Sequence, residues 1–129
     1  MPDAYSHWTL PRLAGFATAA DVLLTGRTFD GEEAVRLGMA SRCLPAGEVL
    51  PAAVAIARDI AVNVAPLSAA LTKKVLWHGL GLGPDEVGRL ETEHHHHLMA
   101  GPDAREGAVA FLEGRAPNWQ GRVGRDWPG

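Results

Sequence analysis

The sequence predicts a mainly α-helical chain of five or six helices with at most one short strand. Three observations carry that class. Alanine is abundant while only 6% of residues are aromatic, and alanine is the residue that helix interiors favour most. The 15 glycines and 9 prolines punctuate the chain cleanly, cutting it into segments of helical length. In the segment from 48 to 64 the apolar residues recur at helical spacing rather than alternating.

The chain opens MPDAYSHWTLPRLAG. Pro2, Asp3 and Tyr5 read as a turn, and Leu10-Pro11-Arg12-Leu13 leads into a helical segment. Residues 16–24, FATAADVLL, form a short apolar helix that Gly26 stops. Asp30 followed by Glu33 is a capping-box-like start, with carboxylates at the helix's positive end. That helix, EEAVRL, stops at Gly38. Residues 39–44, MASRCL, alternate in part between Gly38 and Pro45 and supply the one strand. The helix at 48–64 carries Leu50, Val54, Ala57, Ile60, Ala61 and Val64 on its stripe, with Pro51 in the first turn, where proline is tolerated. Pro66 opens the next helix, PLSAALTKKVLWHGL, which runs to Gly79 or Gly81. Pro84-Asp85-Glu86 opens another, ended by Gly101. Pro102-Asp103 starts the last, through about Arg115. The tail PNWQGRVGRDWPG is glycine-rich and irregular.

A length of 129 residues suits one domain with a modest core. The net charge of −3 counts against a nucleic-acid partner, which favours basic faces. Cys43 stands alone, which excludes a disulfide framework or a CxxC pair and points to a cytoplasmic setting. No apolar run reaches about 18 residues, so no membrane span is expected. No basic segment followed by an apolar run marks a secretory signal. The helix at 48–64 also carries Ala52, Ala53 and Val62 beside its stripe. That is more apolar surface than a small monomer covers, and it predicts contacts between copies.

Three stretches, LLTGRTFDGEEAVRLGMASRCLP, APLSAALTKKVL and DAREGAVAFLEGRAPNWQGR, resemble in order and spacing the carboxy-terminal half of the crotonase superfamily, the enoyl-CoA hydratases and isomerases. The resemblance covers nearly the whole chain. It implies the helical carboxy-terminal part of a ClpP/crotonase-like fold. Residues 1–27 would then be a remnant of the core domain, comprising the pocket loop and the helix after it. Residues 28–129 would be a helical oligomerisation and lid region, the two together making effectively one domain. The resemblance further implies an acyl-CoA thioester as substrate, enolate chemistry, no separate cofactor, and a homo-oligomer, a trimer or a multiple of one. In the family an amino-terminal αβ core carries the two backbone N–H groups that bind the thioester oxygen. The resemblance thus implies that this chain is the second half, beginning at the pocket loop and inactive by itself. The alternative is a non-catalytic helical module that oligomerises or docks onto an amino-terminal partner.

The resemblance implies roles for three residues. Asp3 matches the acid that shuttles a proton in isomerase-type relatives, a task for a carboxylate beside an acidic carbon. Asp after Pro is equally ordinary turn chemistry. Ser6-His7 stands where small glycines usually follow that acid. Phe111 matches an aromatic that packs near the ligand. Arg115, with Lys73 and Lys74, would meet the phosphates of coenzyme A, although Gly114 stands where many relatives carry a lysine. The two lysines read equally as solvated helix surface. The internal run ETEHHHHLMAG places Val87, Leu90, His94 and Leu98 on one helix face and His96 on the opposite one. His94 therefore reads as a packed histidine and His96 as a solvated one. No physiological metal site is expected, though the run would bind zinc or nickel adventitiously.

Overall fold

The computed structural model describes residues 3–128. The chain divides into two compact units, Met1–Pro51 and Ala52–Gly129.

The first unit begins with the expected turn: the Asp3 carbonyl accepts the Ser6 N–H at 3.0 Å. Pro2, the first residue of that reading, lies outside the described residues. Helices α1 (Ser6–Ala14) and α2 (Phe16–Thr25) follow, with Pro11 inside α1. Gly15, at φ 80°, is the only residue between them, and the two helices fold back on each other. α2 ends where expected. Gly26 takes the left-handed conformation at φ 61°, and its N–H returns to the Val22 carbonyl at 3.0 Å, the αL cap that glycine adopts at no steric cost. Asp30 caps α3 (Gly31–Arg36) by accepting the Glu33 N–H at 2.7 Å. The reciprocal half of the capping box is not made. The Glu33 carboxylate turns to Arg27 at 2.9 Å, and Arg27 also holds Asp21 at 2.7 Å.

The strand expected at 39–44 is absent, and no strand forms among the described residues. The cause is local. The N–H groups of Met39 and Ala40 both donate to the Ala34 carbonyl, at 2.9 and 3.2 Å, folding the segment back over α3. A strand needs its backbone groups free to pair with a neighbour, and these two N–H groups are already engaged.

Helix α4 (Ala46–Asn63) starts two residues ahead of Glu48, so Pro51 lies inside the helix rather than in its first turn. Lacking an N–H, Pro51 leaves one rung of the helix unmade, at the division between the units. No α4 residue is buried.

In the second unit, prolines open α5 (Pro66–Gly79), α6 (Pro84–Met99) and α7 (Pro102–Glu113). Proline's fixed φ suits this position, where its missing N–H costs nothing. α5 packs on α6, and α6 on α7. Leu67 and Leu71 from α5, His94 from α6, Ala110 from α7 and Gly121 of the tail are this unit's buried residues. The tail is not loose. It contains a four-residue helix, α8 (Val123–Asp126), packed on α5, and its backbone is tied to α7. Asp103 accepts the N–H groups of Gln120 and Gly121 at 2.7 and 3.0 Å. Glu106 accepts that of Asn118 at 2.6 Å. The Trp119 indole donates to the Val62 carbonyl at 2.9 Å. A Cβ at Gly121 would stand 2.7 Å from an Asp103 oxygen, so any larger residue there would displace the carboxylate that holds the tail. Among the described residues no single helix is long and apolar enough to cross a membrane. α4 and α5 pass such a test only as a pair bent by 119°.

Candidate functional site

Asp3 lies exposed in the first unit, just before α1. The two residues after it, Ala4 and Tyr5, both have left-handed backbone, φ 53° and 58°. For residues with a Cβ this conformation costs roughly 1–2 kcal/mol each. The Tyr5 carbonyl takes the N–H groups of Trp8 and Thr9, each at 2.9 Å, and the Thr9 hydroxyl at 3.0 Å. Ser6 Oγ is buried without a hydrogen-bond partner, and His7 is exposed. One turn on, the Arg12 guanidinium lies 4.1 Å from the centre of the Trp8 ring. The loop thus offers an exposed carboxylate on a tight, strained turn, of the kind that persists where surrounding structure enforces it.

Phe111 and Arg115 belong to the second unit. Phe111 is 85% exposed and Leu112 beside it 83%, so α7 ends in an uncovered apolar pair. Arg115 is engaged. It grips Glu106 with both terminal nitrogens at 2.6 and 3.1 Å, and its Nε holds Glu113 at 2.6 Å. The Arg115 guanidinium and the Asn118 N–H bring the Glu106 carboxyl down to about 2. Arg115 therefore ties the tail to α7. Lys73 is exposed, while the Lys74 ammonium sits 5.2 Å from the centre of the Trp127 ring, within cation–π range.

The histidine run faces as the helical period requires. His94 is buried and His96 exposed. His97 Nε2 donates to the Asp126 carbonyl at 2.8 Å, fixing α8 against α6. His94 lines an open pocket of about 220 Å³ with Leu71, Thr72, Val75, Leu98, Glu91 and His95. A second pocket, of about 290 Å³, is lined by Leu67, Leu98, Pro102 and Gly121 together with Asp103 and Asp126. Among the described residues no three His, Cys, Asp or Glu side chains gather to hold a metal ion.

Glu106 and Trp119 escape a reading of the sequence. Their partners lie 12 and 57 residues away. Asp103 was legible only as a helix-start acid, although its three-residue spacing from Glu106 puts both on one face of α7.

Residues 1–122 match the family model described as enoyl-CoA hydratase/isomerase. Among curated relatives, an enoyl-CoA hydratase of Alternaria alternata is 34% identical over 119 residues, 92% of this chain and 40% of that protein. A carnitinyl-CoA dehydratase of Proteus mirabilis is 33% identical over 126 residues, 95% of this chain and 48% of that protein. A crystal structure described as a "probable enoyl-CoA hydratase/isomerase" from Mycobacterium abscessus superposes with a TM-score of 0.91 at 55% identity, over 94% of this chain and 48% of that one. The enoyl-CoA hydratase of Bacillus anthracis gives 0.88 at 28% identity, over 95% and 47%. The chain thus spans about half the length of the relatives it matches. A match over nearly the whole chain, in sequence and in the order of its helices, makes it a member of the enoyl-CoA hydratase/isomerase family, mainly helical in this segment.

Proposed function

We propose that this chain supplies the carboxy-terminal part of an enzyme that acts on acyl-CoA thioesters through an enolate, and that alone it turns over no substrate. The observation that carries the reading is the fit of 94% of this chain to 48% of one solved family member. In this reading the donors for the thioester oxygen come from the part of the family fold that this chain does not span. Such donors are typically worth about 3–4 kcal/mol each at the transition state, and without them the enolate that a carboxylate base would generate is left unstabilised. Asp3 takes the proton from the carbon beside the conjugated thioester and returns it elsewhere. This tilts the reaction toward double-bond migration over hydration. Phe111 packs against the ligand. Arg115 meets a phosphate by exchanging its exposed partner Glu113 while keeping Glu106. No cofactor beyond the thioester itself is required, and the setting is cytoplasmic. The open apolar surface of α4 and of the end of α7 supports assembly into a homo-oligomer, a trimer or a multiple of one.

The test measures crotonyl-CoA consumption and β,γ-enoyl-CoA isomerisation by the chain alone, and by the chain co-expressed with the αβ core of the Mycobacterium abscessus relative. The expected result is background rates alone and turnover in the pair that Asp3→Ala abolishes. Turnover by the chain alone would overturn its dependence on a further part. Turnover in the pair that survives Asp3→Ala would remove Asp3 from the chemistry.

A further inference from the structure

His94 is the one polar side chain among the buried residues described. Its Nε2 is fully covered and has no hydrogen-bond partner. Leu71 and Val75 of α5 and Leu98 of its own helix share its pocket. A neutral imidazole tolerates this place, because a bare ring nitrogen leaves one acceptor unused. An imidazolium does not, because it would put an N–H and a positive charge where no acceptor waits.

The surrounding charges sharpen the contrast. From α5, Lys74 lies close enough to repel a proton on the ring. From α6, His97 acts in the same direction and Glu93 opposes them, and no α7 charge bears on the ring. Glu91 and His95 line the same pocket at its exposed rim. Burial first, then Lys74, hold the imidazole below the ordinary histidine range.

We propose that His94 is an acid-sensitive latch. Protonating it loosens α5 from α6 and with them the carboxy-terminal helical unit, at mildly acidic pH. The sign follows from linkage. The unfolded chain binds this proton more readily than the folded one. The stabilisation is therefore complete above the ordinary histidine pKa of about 6.5 and is lost as pH falls from there through the folded value. The ion-paired carboxylates Glu106 and Asp126 lie down at about 2, well below this window. Loss of packing between two helices that together bury Leu71 opens the pocket at its base.

The test is thermal unfolding of the full chain at about pH 7.5 and about pH 5.5, with NMR titration of its 6 histidines. In the wild type, Tm falls between the two pH values. His94→Leu removes at least half of that fall, and exposed His96→Leu leaves it unchanged. The His94 ring titrates at the lowest pH of the histidines. Equal effects from the two substitutions would overturn the proposal, since the run would then act as a generic charge cluster. If His94→Leu does not fold, the wild-type titration decides: a His94 midpoint level with the exposed rings overturns the latch, and one below them supports it.

Discussion

Leu71 is the largest side chain that the described residues bury completely, at 1% exposure. It stands on α5 against the α6 face that carries His94 and Leu98. Leu71→Ala removes three carbons, each worth about 0.8 kcal/mol on burial, or roughly 2.4 kcal/mol in transfer alone. The void adds to this, because neighbouring helices relax only in part, giving about 3–4 kcal/mol within the usual range of about 2–5 for such truncations. Leu76 on the same helix is 68% exposed, and its truncation should cost under about 1 kcal/mol. In a unit of this size about 1 kcal/mol moves Tm by roughly 4–8 °C, so the two variants should separate by about 8 °C or more. Urea and thermal unfolding followed by circular dichroism, at one protein concentration, measure both. The midpoint should fall while the urea dependence stays constant. If Leu71→Ala costs less than about 1 kcal/mol, or no more than Leu76→Ala, then α5 and α6 do not share the core described here.

Two further outcomes are expected. The Glu106 carboxyl lies at about 2 against an ordinary 4.5, so its bonds to Arg115 and Asn118 stabilise the fold above that ordinary value and are lost as pH falls toward 2. Glu106→Gln should flatten the pH dependence of unfolding in that window and free the tail to faster amide exchange at Asn118. An unchanged profile would show that the clamp contributes nothing to stability. The chain should also self-associate, given Leu50 at 71%, Phe111 at 85% and Leu112 at 83% exposure. A clean monomer in sedimentation at tens of micromolar would refute that.

Some of this molecule is written in short-range chemistry. Gly26, Asp30, Pro66, Pro84 and Pro102 mark helix ends because their backbone preferences and capping groups act within one turn, and the helices end or begin there. The facing of His94 and His96 follows from the 3.6-residue period alone. The family too was legible, because its motifs persist in order along the chain.

What short-range reasoning missed depends on partners far along the chain. Residues 39–44 have the alternation of a strand, but pairing requires a second backbone, and the Ala34 carbonyl captures their N–H groups first. The tail is irregular over residues 116–122, as its sequence reads, but its hold comes from Asp103, Glu106 and Val62 on other elements. Arg115 looks like a free cation until Glu106 and Glu113 close on it. Local preferences within a turn determined where most of the helices begin or end and, on α6, which face is buried. Only the tertiary structure decided which charges are already paired, which polar groups hold the tail, and that the His94 ring nitrogen is sealed without a partner, since each of those depends on burial and on contacts between elements that no single segment encodes.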